Sequence, residues 1–195
     1  MERNDLFPVF LKLEQLHTLI VGGGHVGLEK ITGLLKSSPA ARITLVARSI
    51  SEEIKSLTAT FPNVELVERN FRLWDVYGKD LLILATNDRK LHEGVREFTR
   101  TRNLLVNVAD TPDLCDFYLG SVVTKGNLKI GISTNGKSPT LAKRIREYLE
   151  EAIPDDTHDL LDNMQAIRNK IKGDFNHKVK VLNELTASWL ASKPE

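Results

Sequence analysis

The chain has 195 residues, 41% hydrophobic and 27% charged, proportions ordinary for a globular protein and large enough for one α/β domain with a smaller appendage. Its 27 Lys and Arg against 26 Asp and Glu leave a formal charge of +1, which excludes a global basic field for nucleic acid. The single cysteine, Cys115, excludes an intrachain disulfide and a Cys-rich zinc site, and suits a reducing, cytoplasmic setting. Met1-Glu2-Arg3-Asn4-Asp5 leads into no signal-type apolar stretch, and the run Leu81 to Ala85 is too short to span a bilayer. A soluble protein with no membrane or nucleic-acid partner is expected.

In chain order, Leu6 to Leu13 predicts a short edge strand, because it holds Pro8. Thr18-Leu19-Ile20-Val21 is a continuous apolar run ending in glycines, the pattern of a parallel strand buried on both faces. Val26, Ile31, Leu34 and Leu35 are spaced for a helix over 26–36. Ile43 to Val46 is a second buried strand, and Ser49 with Glu52 forms a capping-box pattern for the next helix. Val64 to Val67 and Leu81 to Ala85 continue the series. Asn87 or Asp88 caps a helix running to about Arg102, with Asn103 in its C-terminal turn, and Leu104-Leu105-Val106 is a fifth strand. Strands alternating with helices predict an α/β fold, a Rossmann-type doubly wound parallel sheet with right-handed crossovers.

After Thr111-Pro112 the rhythm changes. Tyr118 to Thr124 and Leu128 to Ser133 predict a hairpin turning at Lys125-Gly126-Asn127. A helix from Ser138 to about Glu151 follows. Beyond Pro154 the chain is helical: Leu160, Met164, Ile167 and Ile171 mark a buried stripe, and after Gly173 a last helix carries Val179, Leu182, Leu185 and Trp189.

Gly22-Gly23-Gly24-His25-Val26-Gly27 fits G-x-G-x-x-G. Glycine serves there for a tight turn, for close approach of backbone to a pyrophosphate, and for close helix–strand packing. Free N–H groups and the helix dipole favour the negative charge. The motif alone occurs in many turns; here it follows a buried strand and opens a helix, the context that a dinucleotide site requires. Where an acid would grip the adenosine ribose, the second strand ends in Ala47-Arg48-Ser49. Arg48 and Ser49 suit a 2′-phosphate, yet a solvated loop explains them equally well, so NAD and NADP both stay open.

Ligands bind beyond the carboxyl ends of such strands. Two polar groups fall there: Thr86-Asn87-Asp88, for which helix capping is a competing explanation, and Asn107-Val108-Ala109-Asp110. No helical pattern begins behind Asp110, which lies where a general base beside the nicotinamide would be placed. Thr134-Asn135-Gly136-Lys137-Ser138-Pro139 ends a strand and starts a helix; capping explains part of it, and its hydroxyls, lysine and free N–H groups also make a carboxylate-binding corner. The five histidines lack ligand spacing, so no metal site is expected. Arg168, Lys170, Lys172, Lys178 and Lys180 read as a solvated face that can also meet an acidic ligand.

These motifs, in order and spacing, resemble the precorrin-2 dehydrogenases of siroheme biosynthesis, including the N-terminal region of bifunctional siroheme synthase. The likeness runs from Leu6-Phe7-Pro8-Val9-Phe10-Leu11 through Val21 to Gly27 and Lys30, then Ala85 to Asp88, Asn107 to Asp110 and Ser133 to Pro139. It implies an NAD-binding Rossmann domain over 1–112, a strand-exchange dimerisation segment over 113–151 and a C-terminal helical domain over 152–195. It implies a cytoplasmic homodimer that oxidises precorrin-2 to sirohydrochlorin with NAD as acceptor. In the same likeness Asp110 assists proton removal, Gly22, Gly23, Gly24, His25, Val26, Arg48, Thr86, Asn87, Asn107 and Val108 hold the cofactor, and Thr134, Asn135, Gly136, Lys137 and Ser138 meet the polycarboxylated substrate. Some members also insert iron or cobalt into sirohydrochlorin in the same cleft. The sequence departs from the family pattern at Gly27, where alanine is frequent, at Glu29, where arginine is common, and at Thr134, which replaces a serine. A non-catalytic NAD(P)-binding regulatory module is the alternative, although such modules usually carry the acidic ribose ligand that is absent here.

Overall fold

A computed structural model describes residues 3–155 and 157–191, without the side chains of 158–161 and 187–191. Five parallel strands, β1 (His17–Val21), β2 (Arg42–Ala47), β3 (Val64–Glu68), β4 (Leu81–Leu84) and β5 (Leu105–Val108), form one sheet in the order β3-β2-β1-β4-β5. Between them run α1 (His25–Ser37), α2 (Glu52–Thr58) and α3 (Arg89–Thr99).

The order of the sheet follows from its apolar runs. Leu19 to Val21, Ile43 to Ala47 and Leu81 to Leu84 are buried on both faces, as central parallel strands must be. Side chains alternate between two cores. Ile20, Ile43, Leu45 and Ile83 pack with Ile31, Leu34 and Leu35 of α1 and Ile54 of α2. Leu19, Val21, Leu82, Leu84 and Val106 pack with Val95 of α3 and with Val76 from a short 3-10 turn over Leu73–Val76. Each aliphatic side chain fully buried in this way contributes roughly 1.5–3 kcal/mol.

The chain divides into two compact units, Met1–Gly120 with Thr134–Ser138, and Ser121–Ser133 with Pro139–Glu195. The second contains the antiparallel pair β6 (Ser121–Lys125) and β7 (Leu128–Ile132), then α4 (Pro139–Ala152), α5 (Thr157–Lys170) and α6 (Phe175–Ala191). Gly126 at φ 55 opens the two-residue hairpin turn while Asn127 keeps a negative φ, the pattern of a type II′ turn. No helix among the described residues is long and apolar enough to cross a membrane.

Several expectations are corrected. Leu6 to Leu13 is no strand: it pairs with none, Phe7 is 87% exposed, and only Leu13 is buried, its carbonyl accepting from Arg42 N at 3.2 Å. The N-cap of α2 is Ser51, which accepts from Ile54 N at 3.4 Å, because Ser49 still belongs to the loop leaving β2. Helix α3 stops at Thr99, and Asn103 does not adopt the left-handed conformation that would have closed it later. The first hairpin strand begins at Ser121 rather than Tyr118. The stripe on α5 is not buried: Ile167 is 37% exposed and Met164 and Ile171 are half-buried, while the side chain of Leu160 lies outside the described residues. On α6 Val179 and Leu185 are exposed and the side chain of Trp189 is likewise outside the described set. Helical spacing reports an apolar stripe, and burial also needs a surface to cover it.

Candidate functional site

The turn after β1 is built from glycine because the backbone approaches itself too closely for a side chain. Gly22 has φ 127, and a Cβ there would lie 2.3 Å from the Ala85 carbonyl oxygen. At Gly23 a Cβ would lie 2.4 Å from Ser49 O, and its own carbonyl accepts from Ser51 N at 2.9 Å. At Gly27 it would meet Gly22 O at 2.2 Å, so α1 seats its first turn directly on the loop. Gly24 differs: nothing lies within 4 Å of its Cβ direction. It caps α1 with no side-chain hydrogen bond, leaving the N–H groups of the first turn for a ligand. Three glycines fit the protein to itself and the fourth opens outward, a backbone cradle that fits a dinucleotide pyrophosphate. His25 is exposed beside it and Val26 half-buried; Glu29 is exposed and paired with Lys30 at 2.9 Å.

At the end of β2, Arg48 and Ser49 are exposed. Arg48 Nε donates to Asn70 Oδ1 at 2.7 Å, and Glu68 accepts from Ile50 N at 3.0 Å with Lys55 3.6 Å away. Asn70 and Glu68 escape a reading of the sequence along the chain. The signal was the strand pairing itself: Ala47 opposite Glu68 brings the residues after β2 and after β3 together.

The remaining polar groups collect on the same carboxyl rim. Ala85 N donates to Val21 O at 2.8 Å and Ala109 N to Leu84 O at 2.9 Å, so the ends of β1, β4 and β5 lie side by side. The strand order reverses between β1 and β4, where a ligand crevice opens in such sheets. Thr86 Oγ1 hydrogen-bonds His92 Nε2 at 2.8 Å; Asn87 is exposed; Asp88 caps α3 by accepting from Leu91 N at 3.0 Å. Asn107 and Val108 lie within β5, which runs further than expected. Asn107 is 6% exposed and donates to Phe117 O at 2.8 Å, and the Val108 side chain is buried, with its N–H donated to Cys115 Sγ at 3.2 Å and its carbonyl accepting from Thr111 N at 3.3 Å. Asp110 follows at φ 56, a left-handed conformation uncommon for a residue with a side chain. It is exposed, and its carboxylate has no hydrogen-bond or ion-pair partner among the described residues.

The segment Thr134–Ser138 clusters with the sheet unit although its neighbours do not. Thr134 Oγ1 accepts from Ser138 N at 3.3 Å and donates to Ser138 O at 3.1 Å, and Lys137 N donates to Thr134 O at 3.0 Å. Asn135 and Gly136 both take positive φ (53 and 74), which turns the chain sharply before Pro139 starts α4. Lys137 is exposed. Among the described residues no three of His, Cys, Asp and Glu gather as a metal-ligand set.

His92 is the titratable group buried behind this rim. Burial holds its pKa below the ordinary 6.5, Asp88 pulls the other way, and Arg89 adds to the lowering. A folded-state pKa below the unfolded value means that the unfolded chain takes up the proton first. The contribution of His92 to stability is therefore complete above pH 6.5 and is lost as pH falls below it. Denaturant titrations at falling pH will show stability declining, less steeply in His92→Gln; an identical slope removes this role. His17, also lowered by burial, keeps the residual slope from vanishing.

The sheet order, the glycine turn and the polar carboxyl rim define a Rossmann-type dinucleotide-binding protein. A family model described as "Putative NAD(P)-binding" matches residues 9–121, and a second, "Sirohaem biosynthesis protein central", matches residues 125–152. Siroheme synthase of Nitrosomonas europaea is 35% identical over 174 residues, 89% of this chain and 36% of that protein. Siroheme synthase of Psychrobacter arcticus is 36% identical over 185 residues, 95% of this chain and 32% of that protein. The solved structure of SirC, precorrin-2 dehydrogenase, aligns with TM-score 0.72 and 26% identity over 92% of this chain and 89% of that one. The chain belongs to the family of precorrin-2 dehydrogenases and siroheme synthase N-terminal regions, and spans about a third of the length of the siroheme synthases it matches.

Proposed function

We propose that this chain oxidises precorrin-2 to sirohydrochlorin with NAD as acceptor, a step of siroheme biosynthesis. The observation that carries the proposal is Asp110: a carboxylate without a partner among the described residues, held at φ 56 on the rim beside the dinucleotide cradle. The relatives support it, since the solved structural neighbour is named a precorrin-2 dehydrogenase and the curated ones siroheme synthases.

Bound NAD supplies the hydride acceptor. Gly22, whose own N–H donates to Val46 O at 3.0 Å, and Gly23 would shape the turn, Gly24, His25 and Val26 would offer backbone N–H groups to the pyrophosphate, Arg48 would meet the adenosine ribose, and Thr86, Asn87, Asn107 and Val108 would lie toward the nicotinamide half. Asp110 takes the proton that leaves the macrocycle as the hydride departs; the electron pair left behind becomes the new double bond, and the proton passes to water. Thr134, Asn135, Gly136, Lys137 and Ser138 receive the substrate carboxylates through N–H groups, hydroxyls and the lysine.

The proposal includes a cytoplasmic homodimer with a Rossmann domain over 1–112, a strand-exchanging segment over 113–151 and a helical domain over 152–195. In its support, Leu141, Ile145 and Tyr148 form an exposed apolar stripe along α4, and β6 and β7 have no other strand partner among the described residues. Light scattering of the purified protein tests the dimer.

The activity is tested with purified protein, precorrin-2, and NAD or NADP in parallel, following absorbance as conjugation extends. Oxidation with NAD is expected. NAD binding without oxidation would establish the regulatory alternative, and oxidation with NADP alone would assign Arg48 to a 2′-phosphate.

A further inference from the structure

β5 is an edge strand, and an edge strand presents every second N–H and C=O to solvent unless something covers them. Leu105 N and Ala109 N point inward, donating to Asp80 O at 3.1 Å and Leu84 O at 2.9 Å. The outward groups of Val106 and Val108 are met by no strand among the described residues, and two consecutive side chains take its place. Asp116 accepts from Val106 N at 2.9 Å and returns its own N–H to Val106 O at 2.7 Å. The Cys115 thiol accepts from Val108 N at 3.2 Å and lies 3.3 Å from Val108 O and 3.4 Å from Thr111 O, to either of which it donates. Arg96 of α3 closes the arrangement with a bidentate grip on Asp116, one arm at 2.6 Å.

What lies between these anchors is the loop that carries Asp110. It leaves β5 at Val108, passes Asp110 at φ 56, and returns at Cys115, tying itself on the way through Thr111 N to Val108 O at 3.3 Å and Thr111 Oγ1 to Ala109 O at 3.2 Å. A left-handed conformation is uncommon for a residue with a Cβ and is held in place where its surroundings enforce it. The clasp supplies that enforcement two residues before Asp110 and five after. Both members are in the protonation state that the bonds require. Burial pushes the Cys115 thiol up, keeping its donor hydrogen. For Asp116, burial raises the pKa, but the Arg96 hydrogen bonds and the Val106 N–H outweigh it and hold the carboxyl low.

We propose that Cys115 and Asp116, with Arg96 behind them, are positioning residues that fix the Asp110 carboxylate toward the reacting macrocycle. This rests on the proposed role of Asp110 as proton acceptor. A clasp of this kind acts on kcat, because a misplacement of the reacting group by about 1 Å costs up to roughly a hundredfold in rate while the glycine cradle keeps its affinity for NAD.

The test is a double-mutant cycle on the full chain, with precorrin-2 and NAD as substrates. Cys115→Ala and Asp116→Ala are each expected to lower kcat about tenfold with the KM for NAD nearly unchanged, and Cys115→Ser, which keeps a donor and an acceptor, to recover most of it. In the Asp110→Asn background the same substitutions should change kcat by less than about twofold, since the group they position is gone. Equal losses in both backgrounds, or no loss in the first, overturn the clasp while leaving Asp110 as the base. Should Asp110→Asn itself turn over normally, the role of Asp110 fails and the clasp falls with it, a result distinct from the other two. Asp116→Asn keeps an acceptor for Val106 N and stands in if Asp116→Ala does not fold.

Discussion

Asp110→Asn will bind NAD as the parent does and turn over precorrin-2 at least a hundredfold more slowly, the loss typical of removing a positioned general base. The substitution isolates chemistry from folding for two reasons. The Asp110 carboxylate has no protein partner among the described residues, so no buried group is orphaned. Asparagine also tolerates the left-handed conformation that Asp110 adopts at φ 56, whereas alanine there would add backbone strain. The melting temperature is therefore expected within a few degrees of the parent, as for exposed substitutions away from packing features. Cofactor titration by NADH fluorescence, single-turnover absorbance and thermal melting read the three quantities separately. Unchanged turnover would strip Asp110 of its role; lost NAD binding would place it in the cradle.

Much of the fold could be read along the chain because parallel strands buried on both faces leave continuous apolar runs. Leu19 to Val21, Ile43 to Val46 and Leu81 to Leu84 needed no partner to be recognised. Leu6 to Leu13 failed for the complementary reason: it has the composition of a strand and no strand to pair with. The α5 stripe shows the same limit, since periodicity names a face and not its cover. In the site, the glycines were legible because each answers to a local backbone demand. Asn70 beside Arg48, and Arg96 gripping Asp116, were not, because strand and helix pairing brings them together across gaps that no local pattern marks. The left-handed Asp110 was also invisible, since a glycine announces such a conformation and an aspartate does not.

The glycine turn can be divided experimentally into what holds the fold and what holds the ligand. Gly22→Ala places a methyl 2.3 Å from the Ala85 carbonyl oxygen at φ 127, a collision with main chain that has nothing flexible to yield. Strain of about 1–3 kcal/mol for the dihedral alone, plus the collision, should destabilise the domain by more than about 3 kcal/mol and abolish NAD binding with it. Gly24→Ala meets no protein atom within 4 Å, and its backbone at φ −96 accepts any residue. Its stability cost should stay at or below about 1 kcal/mol, the difference between glycine and alanine at a helix N-cap. Yet its methyl stands where a pyrophosphate must touch backbone, so affinity for NAD should fall at least tenfold, about 1.4 kcal/mol. Thermal melting and NADH titration of the two variants give opposite pairings: one loses fold and ligand together, the other loses ligand alone. A Gly24→Ala protein that binds NAD as tightly as the parent would mean that the phosphates do not approach α1 at this turn. Gly27 is the intermediate case, since its Cβ would meet Gly22 O at 2.2 Å. An alanine at that position requires α1 to stand slightly further from the loop, so Gly27→Ala should cost stability before it costs affinity.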